Sequence, residues 1–196
     1  MPHIILASNS PRRRELLAGL GLDFEVKVLP DIAESYPPDL PVEQIAEYIA
    51  HEKAMPYLPI LAPDDLVITA DTVVIAGGEV LGKPHDVGDA YRMLHLLSGR
   101  THQVTTGVCL TFCPKDGSEP RVRSFSVTTD VVFKELTDSE IDYYITHYQP
   151  FDKAGAYGIQ EWIGYIGVTG INGSYFNVMG LPVQRIYSEL QEMLNR

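Results

Sequence analysis

A chain of 196 residues with a formal net charge of −11, 45% hydrophobic and 21% charged, is long enough to bury a substantial core and has ordinary globular composition. The acidic balance excludes a protein whose main partner is a nucleic acid polymer, since such partners need lysine and arginine spread over a broad surface. A small anion needs only a local basic pocket, which an acidic exterior does not forbid.

In chain order, His3 to Ala7 (HIILA) reads as a buried strand ending at Ser8-Asn9-Ser10. Ser10 then Pro11 marks a helix start, a capping hydroxyl followed by proline at the first helical position, and Leu16, Leu17 and Leu20 supply the apolar stripe. Phe24 to Leu29 is the next expected strand, followed by a proline-rich loop. From Pro41 to about Tyr57 the apolar residues Val42, Ile45, Ala46, Ile49 and Ala50 follow helical spacing. Leu66 to Ile75 is a strong strand, turned by Gly77-Gly78 into Glu79 to Leu81.

Val87 to Leu97 is an amphipathic helix stopped by Gly99, and two β-rich runs follow, Gln103 to Phe112 and Arg121 to Phe133. Thr137 and Glu140 have the spacing of a capping box opening a helix to about Tyr148. Pro150 to Gln160 is glycine-rich and aperiodic, Ile163 to Val168 reads as a strand, and a helix from Pro182 to Leu194 follows. Alternating elements with long hairpins predict an α/β domain built on a mixed, twisted sheet, as one domain over residues 1–196. No run approaches the length of a membrane span. Cys109 and Cys113 would sit roughly 13 Å apart along a strand, too far for a disulfide, so a reducing, cytoplasmic setting is expected.

Three features carry chemistry. In LASNSPRRRELL (Leu6–Leu17), a serine-rich turn feeds a helix whose first turns hold Arg12, Arg13 and Arg14, where the helix macrodipole is already positive. An anion at that turn is the functional reading; arginines swung back into water are the alternative. Asp71 interrupts an apolar strand and needs a partner: solvent on one face, the Thr69 or Thr72 hydroxyls, or a site at a cleft. Lys83, on the arm returning from that strand, reaches the same cleft or is a surface lysine, and Lys53 otherwise lies on a solvated helix face. Glu34 is a loop charge or a metal ligand. In DKAGAYGIQ (Asp152–Gln160), Gly155 and Gly158 permit close backbone approach to a ligand or simply loosen a loop, and Gln160 offers an amide suited to a base edge. His51, His102 and His147 read as structural or surface residues, and Tyr143, Tyr144 and Tyr148 as packing. No phosphate-binding P-loop, dinucleotide fingerprint or nucleophile elbow occurs. The remaining inventory suits metal-assisted hydrolysis of a phosphoanhydride.

LASNSPRRRELL (6–17), ADTVV (70–74), LGKP (81–84), LSGRTHQV (97–104), DKAGAYGIQ (152–160) and INGSYFNVMGLP (171–182) resemble, in this order and spacing, the Maf family of nucleoside triphosphate pyrophosphatases, over nearly the whole chain. Arg12, Thr72 and Gln160 match positions associated with its dTTP/UTP branch. The resemblance implies an elongated mixed sheet flanked by helices, with two lobes around a cleft as in inosine triphosphate pyrophosphatases. It also implies a homodimer, a divalent cation (Mg2+ or Mn2+), and cytoplasmic housekeeping of nucleotide pools. It makes Asp71 the catalytic proton acceptor, with Ser8, Ser10, Arg12, Arg13, Lys53 and Lys83 on the phosphate side. Glu34 matches the family's acidic loop residue and is expected, with Asp71, to bind the metal; Ala33 stands where many members carry a further acidic residue. A nucleotide-binding regulator of cell division, or the same chemistry on a purine or 7-methylguanine nucleotide, are the competing functions.

Overall fold

Strand β1 (His3–Leu6) lies between β2 (Phe24–Val26) and β3 (Asp65–Ala76) and runs parallel to both, with Leu6 paired to Val26 on one side and Ile68 on the other. Its Ile4, Ile5 and Leu6 are buried, which is why this short strand reads as a continuous apolar run. The sheet continues through β5 (Thr101–Phe112), β6 (Arg121–Phe133) and β7 (Val168–Asn172), while β4 (Glu79–Leu81) pairs antiparallel with β3. The β6–β7 pair is also antiparallel, so the seven-stranded sheet of this computed structural model, which describes residues 1–194, is mixed as expected.

Helices α1 (Pro11–Ala18), α2 (Ile45–Ala54), α3 (Val87–Leu97), α4 (Asp138–Tyr148), α5 (Trp162–Gly167), α6 (Tyr175–Met179) and α7 (Val183–Leu194) make up the rest. The helical segment expected from Pro41 to Tyr57 is α only over α2. A 3-10 turn at Val42–Gln44 precedes it, and Pro56 and Pro59, which cannot donate to an α ladder, leave Met55–Ile60 as a 3-10 segment. The capping box at α4 is present, with the Thr137 side chain accepting from Glu140 N–H and the Glu140 carboxylate accepting from Thr137 N–H.

Two expectations are corrected. Regular pairing in β2 stops at Val26 rather than Leu29, because the buried Tyr57 phenol takes over the next backbone groups, donating to Lys27 O (2.9 Å) and accepting from Leu29 N–H (3.0 Å). The segment Ile163 to Val168 is helix α5, with β7 beginning only at Val168. Ile163 and Gly167 are buried while Tyr165 is 79% exposed, a four-residue repeat in place of strand alternation.

The chain divides into two compact units. The first comprises residues 1–71, 106–127 and the segment from Gly180 onward; the second comprises 72–105 and 128–179. In the first, α2 lies flush on β5: a Cβ at Gly107 would come within 2.2 Å of the Ala46 carbonyl, so only glycine permits the approach. Ala50 and Ala54 of α2 pack on Cys109 of β5. In the second, α3, α4 and α5 bury Leu94, Leu97, Ile141, Tyr144 and Ile163 together with Val74, Val131 and Phe133 of the strands. Both cysteines are free thiols.

Candidate active site

In the first unit the turn after β1 folds on its own hydroxyls. Ser8, almost fully buried, accepts the Ser10 N–H at 3.2 Å, and Ser10 caps α1 by accepting from Arg13 N–H at 3.4 Å. Each serine thus spends an acceptor lone pair locally and keeps its hydroxyl hydrogen as a donor for an anion.

The three arginines part company here. Arg14 leans back to Asn9 Oδ1 at 3.3 Å. Half-buried Arg13 turns inward, donating from Nε to Gly180 O (2.8 Å) and from Nη1 to Ala70 O (2.9 Å). Burial works against its charge, Asp71 and Glu34 favour it, and Arg12 opposes it, which places these four side chains in one electrostatic neighbourhood. Its intrinsic basicity is so high that it stays a cation throughout.

Asp71 finds its partner in Lys53. From the last turn of α2, Lys53 Nζ reaches Asp71 Oδ1 at 2.8 Å and Glu34 Oε1 at 2.7 Å. Both the Lys53 and Asp71 side chains are only 14% exposed, so the helix-face reading of Lys53 is overturned: the ammonium points inward and is shared by two carboxylates. Thr69 does not serve Asp71; its hydroxyl donates to Ala50 O at 2.6 Å, stapling β3 to α2.

Glu34 and Asp71 are hard oxygen donors, the kind Mg2+ or Mn2+ takes. No group of three or more His, Cys, Asp or Glu that could hold a metal exists among the described residues. The pair nevertheless fits a magnesium-type site, which commonly uses one or two carboxylates and completes its shell with water and substrate phosphate oxygens.

In the second unit, Thr72 follows Asp71 on β3, and Lys83 is exposed just beyond β4. Gly155 is held by packing inside its own unit. Its positive φ and missing Cβ serve packing against Val74, where a Cβ would come within 2.9 Å, and its N–H donates to Gly82 O. The segment is no loose loop either, since residues 155–159 are buried. Gln160 carries a buried Oε1 with no hydrogen-bond partner among the described residues.

Around it lies a network that the sequence reading missed. Tyr144, read as packing, is indeed buried, yet its hydroxyl donates to Glu161 Oε2 and accepts Gly158 N–H at 3.0 Å. Lys153 Nζ sits 3.1 Å from Glu161 Oε1 and 2.7 Å from Asp152 Oδ1. Burial and the Glu161 carboxylate push the Tyr144 phenol's pKa up. The available signal was a lysine and a glutamate flanking the glycine-rich stretch; nothing local tied them to Tyr144. Asn177, in the INGSYFNVMGLP motif, is structural: buried, it donates from Nδ2 to Val104 O and Thr129 Oγ1, both at 3.0 Å.

The family model described as a Maf-like protein matches residues 3–193. A dTTP/UTP pyrophosphatase of Phocaeicola vulgatus is 63% identical over 97% of this chain and 95% of its own length. Proteins of that name from Parabacteroides distasonis (56% identical, 96% and 94% covered) and Bacteroides thetaiotaomicron (55%, 97% and 95%) are also similar. Among solved structures, a HAM1 protein from Coxiella burnetii aligns over 98% of this chain and 100% of its own at 15% identity and a TM-score of 0.45, a likeness too weak to say anything of this chain. A family match of this extent, with relatives this similar along their whole length, means that the chain belongs to the Maf-like protein family.

Proposed function

We propose that this protein hydrolyses nucleoside triphosphates, dTTP and UTP foremost, to the monophosphate and pyrophosphate. The observation that carries the reading is the Lys53 ammonium shared by Asp71 and Glu34, within the charge field of Arg13. Relatives at 55–63% identity bearing the name dTTP/UTP pyrophosphatase support the substrate class.

In this reading water attacks the α-phosphorus. Its new P–O bond forms as the bond from the α-phosphorus to the bridging oxygen of the α–β anhydride breaks, and pyrophosphate departs with that oxygen. Lys53 fixes Asp71 through Oδ1, and the second carboxylate oxygen accepts the proton of the attacking water. Arg12, Arg13, Lys53 and Lys83, with the Ser8 and Ser10 hydroxyls, bind the polyphosphate and stabilise charge developing on the leaving group. Glu34 and Asp71 would hold a divalent cation, which when bound neutralises charge on the phosphate oxygens. Gln160 and Thr72 select the base. The orphan Gln160 Oε1 accepts from the N3–H of thymine or uracil, a hydrogen that cytosine lacks. Metal dependence belongs to the same proposal, as do a cytoplasmic location and a homodimeric state, which rest on family membership alone. No helix among the described residues is long and apolar enough to cross a membrane.

The test is a panel of nucleoside triphosphates incubated with the purified protein, with Mg2+ or Mn2+ and with chelator, and with the released phosphate species identified. Pyrophosphate from dTTP and UTP, abolished by chelator, is the expected result. Orthophosphate as first product indicates a plain phosphatase. Binding without turnover indicates a nucleotide-binding regulator, and a preference for a purine or modified purine overturns the base assignment.

A further inference from the structure

Four residues, Gly158 to Glu161, form a tight turn closed by Glu161 N–H donating to Gly158 O at 3.0 Å, and Gln160 sits inside it. Both ends of this turn are gripped by one phenol: Tyr144 accepts the Gly158 N–H and donates to the Glu161 carboxylate. Lys153 takes the other carboxylate oxygen, and its side chain is only 9% exposed. The turn is also tight against itself. A Cβ at Gly158 would lie 3.1 Å from Gln160 Nε2 and 3.0 Å from Glu161 Cδ, so the glycine lets both side chains fold over it. Downstream, a Cβ at Gly164 would come within 1.8 Å of Ile159 O, which fixes the start of α5 beneath the turn.

Holding a helix against a loop does not require a lysine, a carboxylate and a phenol out of water; apolar side chains of similar volume do that at least as well. What the charged network supplies is direction. It sets the backbone from which the Gln160 amide projects, and that amide ends in a buried acceptor with no hydrogen-bond partner among the described residues. We propose that Tyr144 and Lys153 are positioning residues for base selection, acting through Glu161 on Gln160. The inference rests on the reading of Gln160 as the residue that selects the base. A donor–acceptor match made at one fixed point discriminates steeply between bases, and the same amide on a loose turn swivels to present its NH2 to cytosine instead.

The experiment measures kcat and KM for dTTP and dCTP, by pyrophosphate release, in wild type, Tyr144→Phe, Lys153→Met, Glu161→Gln and Gln160→Ala, with a thermal melt of each. Tyr144→Phe and Lys153→Met are expected to raise KM for dTTP about tenfold and to shrink the dTTP:dCTP ratio of kcat/KM by about tenfold, while kcat for dTTP stays within about threefold. Glu161→Gln, which still accepts from Tyr144, is expected to shrink the ratio less. A purely structural role lowers the melting temperature and the active fraction but leaves KM and the ratio untouched. That outcome, in whichever of Tyr144→Phe and Lys153→Met folds, overturns the inference. If Gln160→Ala also leaves the ratio unchanged, the base-reading assignment itself falls; if Gln160→Ala changes it while the two positioning variants do not, only the inference falls.

Discussion

The Arg13 guanidinium donates to the carbonyl of Ala70 at 2.9 Å, one residue before Asp71, and to that of Gly180 at 2.8 Å. Two fixed bonds to main chain give this arginine a bracing duty in addition to its charge. Lysine keeps the charge but lacks the planar fork. Arg13→Lys should therefore lower kcat for dTTP about 10- to 100-fold, as expected when a proton acceptor is displaced by a fraction of an ångström. Steady-state kinetics, with a melt to show that the variant is folded, checks this.

Asp71→Asn keeps the shape of the side chain and its contact with Lys53 but cannot accept the proton of water. General-base assistance is typically worth about 10²–10⁴-fold, so kcat should fall by at least the lower figure while nucleotide binding is kept. Single-turnover rates and equilibrium binding of a non-hydrolysable dTTP analogue separate the two.

Lys53→Met leaves Glu34 and Asp71 without their shared cation in a partly dehydrated site. The loss should exceed that of an exposed ion pair. A double-mutant cycle of Lys53→Met with Asp71→Ala, which removes the carboxylate outright, read by urea unfolding, should return a coupling energy of about 1–3 kcal/mol.

The elements most legible in the sequence are those whose signals are local. Ser10-Pro11 announces α1, the Thr137/Glu140 pair opens α4, and Gly77-Gly78 turns β3 into β4 where expected. Ile163 to Val168 misled because a short apolar run does not reveal its period until Tyr165 is seen in solvent and Gly167 is not. At the site, Asp71, Lys53 and Glu34 were each identifiable by residue type, but their contact was not, since it joins a strand, a helix and a loop. The Arg13 bonds left no trace at all: their acceptors are main-chain carbonyls, which every residue carries. The Tyr144 grip on Gly158 and Glu161 was hidden because a buried tyrosine at helical spacing looks like any other core aromatic.

His102, buried against Phe133 and Tyr157, bonds the Tyr157 hydroxyl through Nε2 at 2.7 Å while its Nδ1 has no partner among the described residues. Burial pushes its pKa down to about 4 from 6.5. Between those values the unfolded chain binds a proton that the folded chain refuses, so stability falls as pH drops through this window, by about 3 kcal/mol at most. Urea midpoints from pH 7.5 to 4.5 should show this slope in the wild type and a shallower one in His102→Gln.

Gly107→Ala should be among the most damaging single substitutions in the first unit. Its new methyl would meet the Ala46 carbonyl at 2.2 Å, inside any real contact distance, and α2 would have to lift off β5, carrying Lys53 with it. A destabilisation of about 3 kcal/mol or more is expected, measured by urea unfolding, with activity lost even in the folded fraction.

The bond from Arg13 to Gly180 spans 167 residues of sequence. During synthesis Arg13 has to wait, unseated, until the 167 residues that separate it from Gly180 have been translated, although segments in between can begin to fold on emergence. A prematurely terminated chain that stops short of Gly180 cannot complete this brace, so truncated products of translation would remain catalytically silent toward the cell's nucleotides.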